Sequence, residues 1–208
     1  MLTHRQRSFI ATVEAVDGSL NFLDELLGKP AEFVTPSITV PARTVNTAPP
    51  RFASHCVELP PKVIPGKKQD KSRYLGHLPS AIAIAPLQLY FRCVDDGYRL
   101  FVRSSVRYKH ALYIHEENCV CALTSPFNGV YPTLFDLLDT NDTPITFDDI
   151  GDEVIVRLTP AGERAPLMLR TFKDNPFTYM CTQGQRPLEL RLTILERNAA
   201  YLNDPDEV

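Results

Sequence analysis

Residues 87–104 read LQLYFRCV, Asp95-Asp96-Gly97, then YRLFVRSS. Leu87, Leu89, Phe91 and Cys93 alternate with Gln88, Tyr90 and Arg92, and Tyr98, Leu100 and Val102 resume the pattern after the turn. A period of two belongs to a half-buried strand, because successive side chains point to opposite faces. Asp96-Gly97 suits a two-residue type I′ turn, whose central positions both need positive φ. That turn sets Cys93 opposite Leu100 and Phe91 opposite Val102, with both apolar faces on one side. A three-residue loop would set Leu100 against Arg92 and Val102 against Tyr90, so pattern and register agree only for the shorter turn. The chain is therefore predicted to fold around a tight antiparallel hairpin.

The β signal continues from residue 81 onward. Candidate strands are 81–85, 87–94, 98–104, 111–115, 119–124, 153–159, 166–172, 177–182 and 187–195. The last is the cleanest, with Leu188, Leu190, Leu192 and Ile194 inside and Glu189, Arg191 and Thr193 outside. Residues 131–139 fit either a helical turn or a strand. Turn signals recur at the spacing of a sandwich or barrel. The fold class read from this is mainly β: an antiparallel β-sandwich or jelly-roll-like body, with a barrel or β-trefoil as alternatives.

Two segments precede that body. In residues 2–27, Leu2, Phe9, Val13, Val16, Leu20, Leu23 and Leu27 form one stripe, and from Phe9 the spacing is that of heptad a and d positions. This predicts an N-terminal helix over residues 1–29, interrupted at Asp17-Gly18-Ser19 and stopped at Gly28-Lys29-Pro30. Such a helix serves oligomerisation or docking through Phe9, Val13, Val16, Leu20, Leu23 and Leu27, or lies on its own β domain. Residues 30–80 hold nine of the chain's 18 prolines. Proline removes a backbone donor and confines strands to edges, so this segment reads as an extended arm without a core of its own. Its basic run, Lys67 to Arg73, reads as a solvated loop. The β domain then occupies residues 81–208.

Charge narrows the function. The net charge of −3 argues against a protein built mainly to neutralise nucleic-acid phosphates. Charge is also segregated: residues 67–110 carry nine basic side chains against three acidic, while residues 111–156 hold nine carboxylates and no Lys or Arg. Such asymmetry serves complementarity within the chain, or pairs subunits head to tail. The five cysteines, Cys56, Cys93, Cys119, Cys121 and Cys181, are predicted to be reduced, buried thiols of a cytoplasmic-type compartment. No signal peptide and no membrane span is predicted.

Three constellations are candidate sites. On the outer face of the hairpin, Tyr90, Arg92, Arg99, Phe101 and Arg103 interleave rings with guanidinium groups, the chemistry of a single-stranded nucleic-acid platform. The same pairs are ordinary cross-strand neighbours. His115, Cys119 and Cys121 are zinc-ligand types, but C-x-C is not the usual knuckle spacing, so the prediction is neither zinc nor a disulfide. The carboxylates of Asp139–Asp142 and Asp148–Glu153 do not follow a calcium-loop pattern. Nucleophile-elbow, P-loop, dinucleotide-binding and HExxH motifs are missing, and His55 and Cys56 would point to opposite faces of a strand. The functional expectation is a non-enzymatic structural or interaction subunit of a larger assembly, such as a virion or phage particle, working with protein partners or copies of itself and without a cofactor. A nucleic-acid-binding β domain and an enzyme of unassigned class are the alternatives.

Overall fold

The computed structural model describes residues 2–46, 56–80, 82–104, 107–173 and 175–200. In chain order the strands are β1 (Phe9–Ala15), β2 (Ser19–Phe22), β3 (Glu32–Val34), β4 (Ile38–Val40), β5 (Arg43–Asn46), β6 (Cys56–Leu59), β7 (Lys62–Ile64), β8 (Lys68–Asp70), β9 (Leu75–Leu78) and β10 (Leu87–Val94). There follow β11 (Gly97–Val102), β12 (Ala111–His115), β13 (Cys119–Leu123), β14 (Leu134–Leu138), β15 (Glu153–Pro160), β16 (Met168–Thr171), β17 (Thr178–Cys181), β18 (Arg186–Pro187) and β19 (Leu190–Arg197). One short helix, α1 (Leu23–Leu27), follows β2. Two compact units result: residues 1–31 with 71–208, here the body, and Glu32–Asp70.

In the body, β10, β1, β19, β15, β14 and β11 pair in that order, and β11 pairs β10 again, so six antiparallel strands close into a barrel. Alternate residues fill its interior: Phe9, Ala11 and Val13 from β1, Leu89 and Phe91 from β10, and Leu190 and Leu192 from β19 are buried there. Phe9 and Phe91 stack at 4.6 Å between ring centroids. Beyond β11 the sheet runs on through β12, β13, β17, β16 and β18, and β9 links β17 to β2. A second core lies in this extension. It takes Tyr90 and Phe101 from the outer face of the hairpin together with Ile10, Leu23, Tyr113 and Tyr179. The body is thus a barrel with an appended antiparallel sheet, within the β-barrel and sandwich class the alternation predicts.

The hairpin itself keeps its apolar parity but not its predicted turn. Phe91 pairs Leu100, Cys93 pairs Tyr98 and Val94 pairs Gly97, so the two loop residues are Asp95 and Asp96. Asp95 takes the left-handed φ of 54°. A shift of two residues leaves every side chain on its expected face, which is why the pattern could not detect it. Gly97 has a different use from the one the turn suggests. A Cβ there would lie 2.9 Å from Leu134 Cγ and 3.0 Å from the Phe135 carbonyl, so glycine lets β14 approach the start of β11 and close the ring.

The N-terminal helix is not formed. Phe9–Ala15 is a strand, and Phe9, Ala11, Val13 and Ala15 all face the barrel interior. The heptad-like spacing passes over the two alanines, whose small side chains complete a period of two. Asp17-Gly18 lies in the bend into β2, with Gly18 at φ 116°, and Ser19 opens that strand. Leu20 and Leu23 are buried in the body, whereas Val16 is exposed. Residues 71–80, expected in the arm, contribute β9 to the body, with Leu75 and His77 almost fully buried.

The second unit, Glu32–Asp70, is a two-stranded ribbon. Its ladders β3–β8, β4–β7 and β5–β6 share one register, from Glu32 opposite Asp70 through Ile38 opposite Ile64 to Asn46 opposite Cys56. The breaks between ladders coincide with Pro36 and Pro65, and with Pro41, Pro60 and Pro61, where backbone donors are missing. None of its described side chains is buried. Val34, Ile38 and Val63 are each more than 60% exposed.

Phe91→Ala is expected to destabilise the body by about 3–5 kcal/mol, because it opens a cavity beside Phe9 in the closed ring. Leu195→Ala, half-exposed on β19, is expected to change stability by less than about 0.5 kcal/mol. Urea denaturation of the two variants checks the contrast.

Candidate functional site

The proposed nucleic-acid platform is dismantled by burial. Tyr90 and Phe101 are 1% and 2% exposed, with their ring centroids 6.3 Å apart in the second core. The Tyr90 hydroxyl donates to the Ala199 carbonyl. Neither ring has a face for a base. Arg92 and Arg99 stand directly opposite one another, and the Arg99 guanidinium lies 4.9 Å from the Tyr131 ring centroid. Arg103 donates to the Tyr108 hydroxyl at 3.0 Å. The Arg–aromatic pairing is real but intramolecular.

The thiols require a second correction. Cys119 and Cys181 pair across β13 and β17 and are joined by a disulfide. They are 62 residues apart, and only the strand pairing brings them together, so no local signal marks the bond. Cys119 is thereby removed from the His115–Cys119–Cys121 set. Among the described residues no group of three or more His, Cys, Asp and Glu side chains is arranged to hold a metal ion. Burial pushes the Cys121 thiol up to about 11, with Arg73 opposing and Glu116 adding to the shift.

Beside that strand lies a polar cluster. Lys71, in the run read as a solvated loop, has a side chain only 4% exposed. Its ammonium lies 3.6 Å from Glu116, 3.8 Å from Glu117 and 4.8 Å from the Tyr74 ring centroid. Tyr74 donates to Glu116 at 3.2 Å. Lys71 N–H also donates to the Ala31 carbonyl, so the residues where the chain leaves and re-enters the body are bonded to one another. The cluster braces that junction.

The acidic stretch is partly neutralised within the body. Asp142 and Glu189 both pair with Arg157, at 2.9 and 2.7 Å, and Glu153 pairs with Arg191 at 3.2 Å. Asp139 accepts from the backbone of Asn141 and Thr143, and Asp149 from Thr146. These bonds hold both carboxyls below the usual range. Asp96, Asp136 and Asp148 have no ion pair or side-chain hydrogen bond among the described residues.

Asp96 and Asp136 line a cleft of about 440 Å³ beside the β10–β11 turn, with Glu163 and Arg164 at its rim and Leu137, Leu138 and Ile145 among its apolar walls. An adjoining hollow of about 400 Å³ shares Asp96 and Tyr98 and adds Arg7 and Asp148. Tyr98 is 94% buried, being 6% exposed, and lines both spaces, yet its hydroxyl has no hydrogen-bond partner among the described residues. Burial pushes its phenol pKa well up, so it remains a donor. Burial, and then the Asp96 charge, push the Asp136 carboxyl up. A cation placed here would relieve that repulsion. The alternation marks Tyr98 only as an inward strand residue, and the cleft forms from loops distant in sequence.

The ribbon has a hollow of its own. Val40, Pro41, Leu59, Pro60 and Pro61 line a hollow of about 500 Å³ with Lys62 at its edge. Lys62 and Lys67 have no ion pair among the described residues, whereas Lys68 pairs with Glu32 at 2.6 Å.

No protein-family model, curated protein or solved structure matches the chain. Among the described residues no helix is long and apolar enough to cross a membrane.

Peptide mapping without reductant is expected to recover Cys119 linked to Cys181, with Cys93 and Cys121 slow to react with a thiol reagent until the chain unfolds. A free Cys119 in the native protein would contradict the pairing. The Cys121 shift also has a pH consequence. Below the ordinary thiol value of 9.0 both folded and unfolded states hold the proton. Above it the unfolded thiol ionises first, so stability falls as pH rises from 9.0 toward about 11. Melting temperature is expected to decline over that window, and less steeply in Cys121→Ala; equal slopes would contradict the shift.

Proposed function

We propose that the chain is a non-enzymatic interaction subunit whose ribbon docks on neighbouring copies of the same chain, building a larger assembly such as a particle. The ribbon carries this reading. A two-stranded hairpin is marginal in water without a layer to pack on, and this one has no buried side chain among its described residues. Among the described residues each strand pairs only with the other, which leaves both outer edges without a strand partner. Prolines blunt the edges against indiscriminate strand addition, which favours one specific contact over open-ended stacking. Charge supports a like partner: residues 32–70 carry five basic against three acidic side chains, and the rest of the chain seventeen against twenty-two. Opposite signs on two parts of one chain suit a head-to-tail contact between copies.

Light scattering of the full chain over a wide concentration range tests this. The mass is expected to rise above the 23.4 kDa of one chain. Ile38→Asp with Ile64→Asp, cross-strand neighbours on one ribbon face, is expected to weaken association more than tenfold, since burying one such side chain contributes about 1.5–3 kcal/mol. A wild-type mass of one chain at every concentration would contradict self-assembly.

A further inference from the structure

We propose that the cleft beside Asp96 and Asp136 is the receptor for the Lys62 ammonium group from the ribbon of a second copy. The assignment rests on the ribbon-docking reading and names where the ribbon lands. Two observations on the cleft point to a cationic occupant. Asp96 and Asp136 face the same space without a cation between them, and Asp136 is half-buried, where an unpaired carboxylate is costly. Tyr98, 6% exposed, lines the same space, and its hydroxyl has no hydrogen-bond partner among the described residues, so it offers a neutral polar neighbour for a bound ammonium group. Arg164 at the rim and Arg7 in the adjoining hollow are the cations already present. They stand against Asp96, Asp136, Asp148 and Glu163, and leave the acidic side in excess.

Among the ribbon cations whose side chains are described, Lys62, Lys67 and Lys68, shape and polarity select Lys62. Lys68 is engaged by Glu32. Lys67 follows Pro65-Gly66 at a ladder break, where its backbone N–H donates to Thr35. Lys62 edges an apolar hollow that includes Val40 and Leu59. The cleft offers the matching combination, carboxylates above walls of Leu137, Leu138 and Ile145. An ammonium group would settle between the carboxylates while the ribbon's apolar side chains cover those walls. The contact is heterologous: each copy offers one ribbon and one cleft, so the chain can propagate or close into a ring.

Full-length variants test the assignment by light scattering. Asp96→Asn with Asp136→Asn preserves shape and removes both charges; it is expected to weaken self-association at least tenfold, as is Lys62→Glu. Mixing the two variants is the decisive arm. One retains a working ribbon and the other a working cleft, so the mixture is expected to form a two-chain species and nothing longer. If the carboxamide variant associates as tightly as wild type while Ile38→Asp with Ile64→Asp does not associate, the cleft assignment is overturned and ribbon docking stands. If the mixture stays at one-chain mass although each variant melts like wild type, the pairing of Lys62 with this cleft is likewise overturned.

Discussion

Every backbone N–H and C=O in the barrel must find a partner, and closure between β10 and β11 satisfies that demand. Among the described residues the ring of six strands has no free edge, so its strands pair with one another around the whole circle. Closure depends on close approach at Gly97, where β14 crosses the start of β11. It also depends on Phe9 and Phe91 meeting across paired strands inside the ring. The appended sheet then grows from β11, and its core covers the outer side of the same hairpin through Tyr90 and Phe101. One hairpin therefore supplies side chains to both cores.

The ribbon obeys the opposite rule. Among the described residues its strands pair with each other and stop, with proline at both breaks and no described side chain fully buried. A ribbon of this length loses backbone entropy when ordered, at about 1–2 kcal/mol per residue, and has little apolar burial of its own to offset it. The bonds at Ala31 and Lys71, with Lys71 held under Glu116, Glu117 and Tyr74, order only its two ends. On the proposed reading a second copy of the chain supplies the remaining stabilisation, and this shortfall is the physical reason for that reading.

Much of the body is legible as a period of two. The strands around Leu87–Val94, Ala111–His115, Cys119–Leu123 and Glu153–Pro160 fall where alternation puts them. Leu188, Leu190 and Leu192 are buried as expected, and Ile194 partly so. The failures share a cause. Phe9–Ala15 was disguised because Ala11 and Ala15 are small enough to fill a barrel interior without registering as an apolar pattern. The hairpin turn slid by two residues, a shift to which face parity is blind. Tyr90 and Phe101 look like exposed platform residues until a second layer, built from β12, β13 and β17, covers them. The Cys119–Cys181 bond and the Asp96–Asp136–Tyr98 cleft depend on which distant strands and loops meet, and local pattern carries no record of that.

The central claim is that the ribbon gains its order from a neighbour while the barrel supplies its own. Hydrogen exchange followed at low and high protein concentration tests this most directly. The account predicts that amides of β1, β10 and β19 are protected at both concentrations. Amides of β3, β4, β7 and β8 should exchange rapidly in dilute protein and become protected as concentration rises. Ribbon amides equally protected at every dilution would contradict it, because the ribbon would then be stable within one chain.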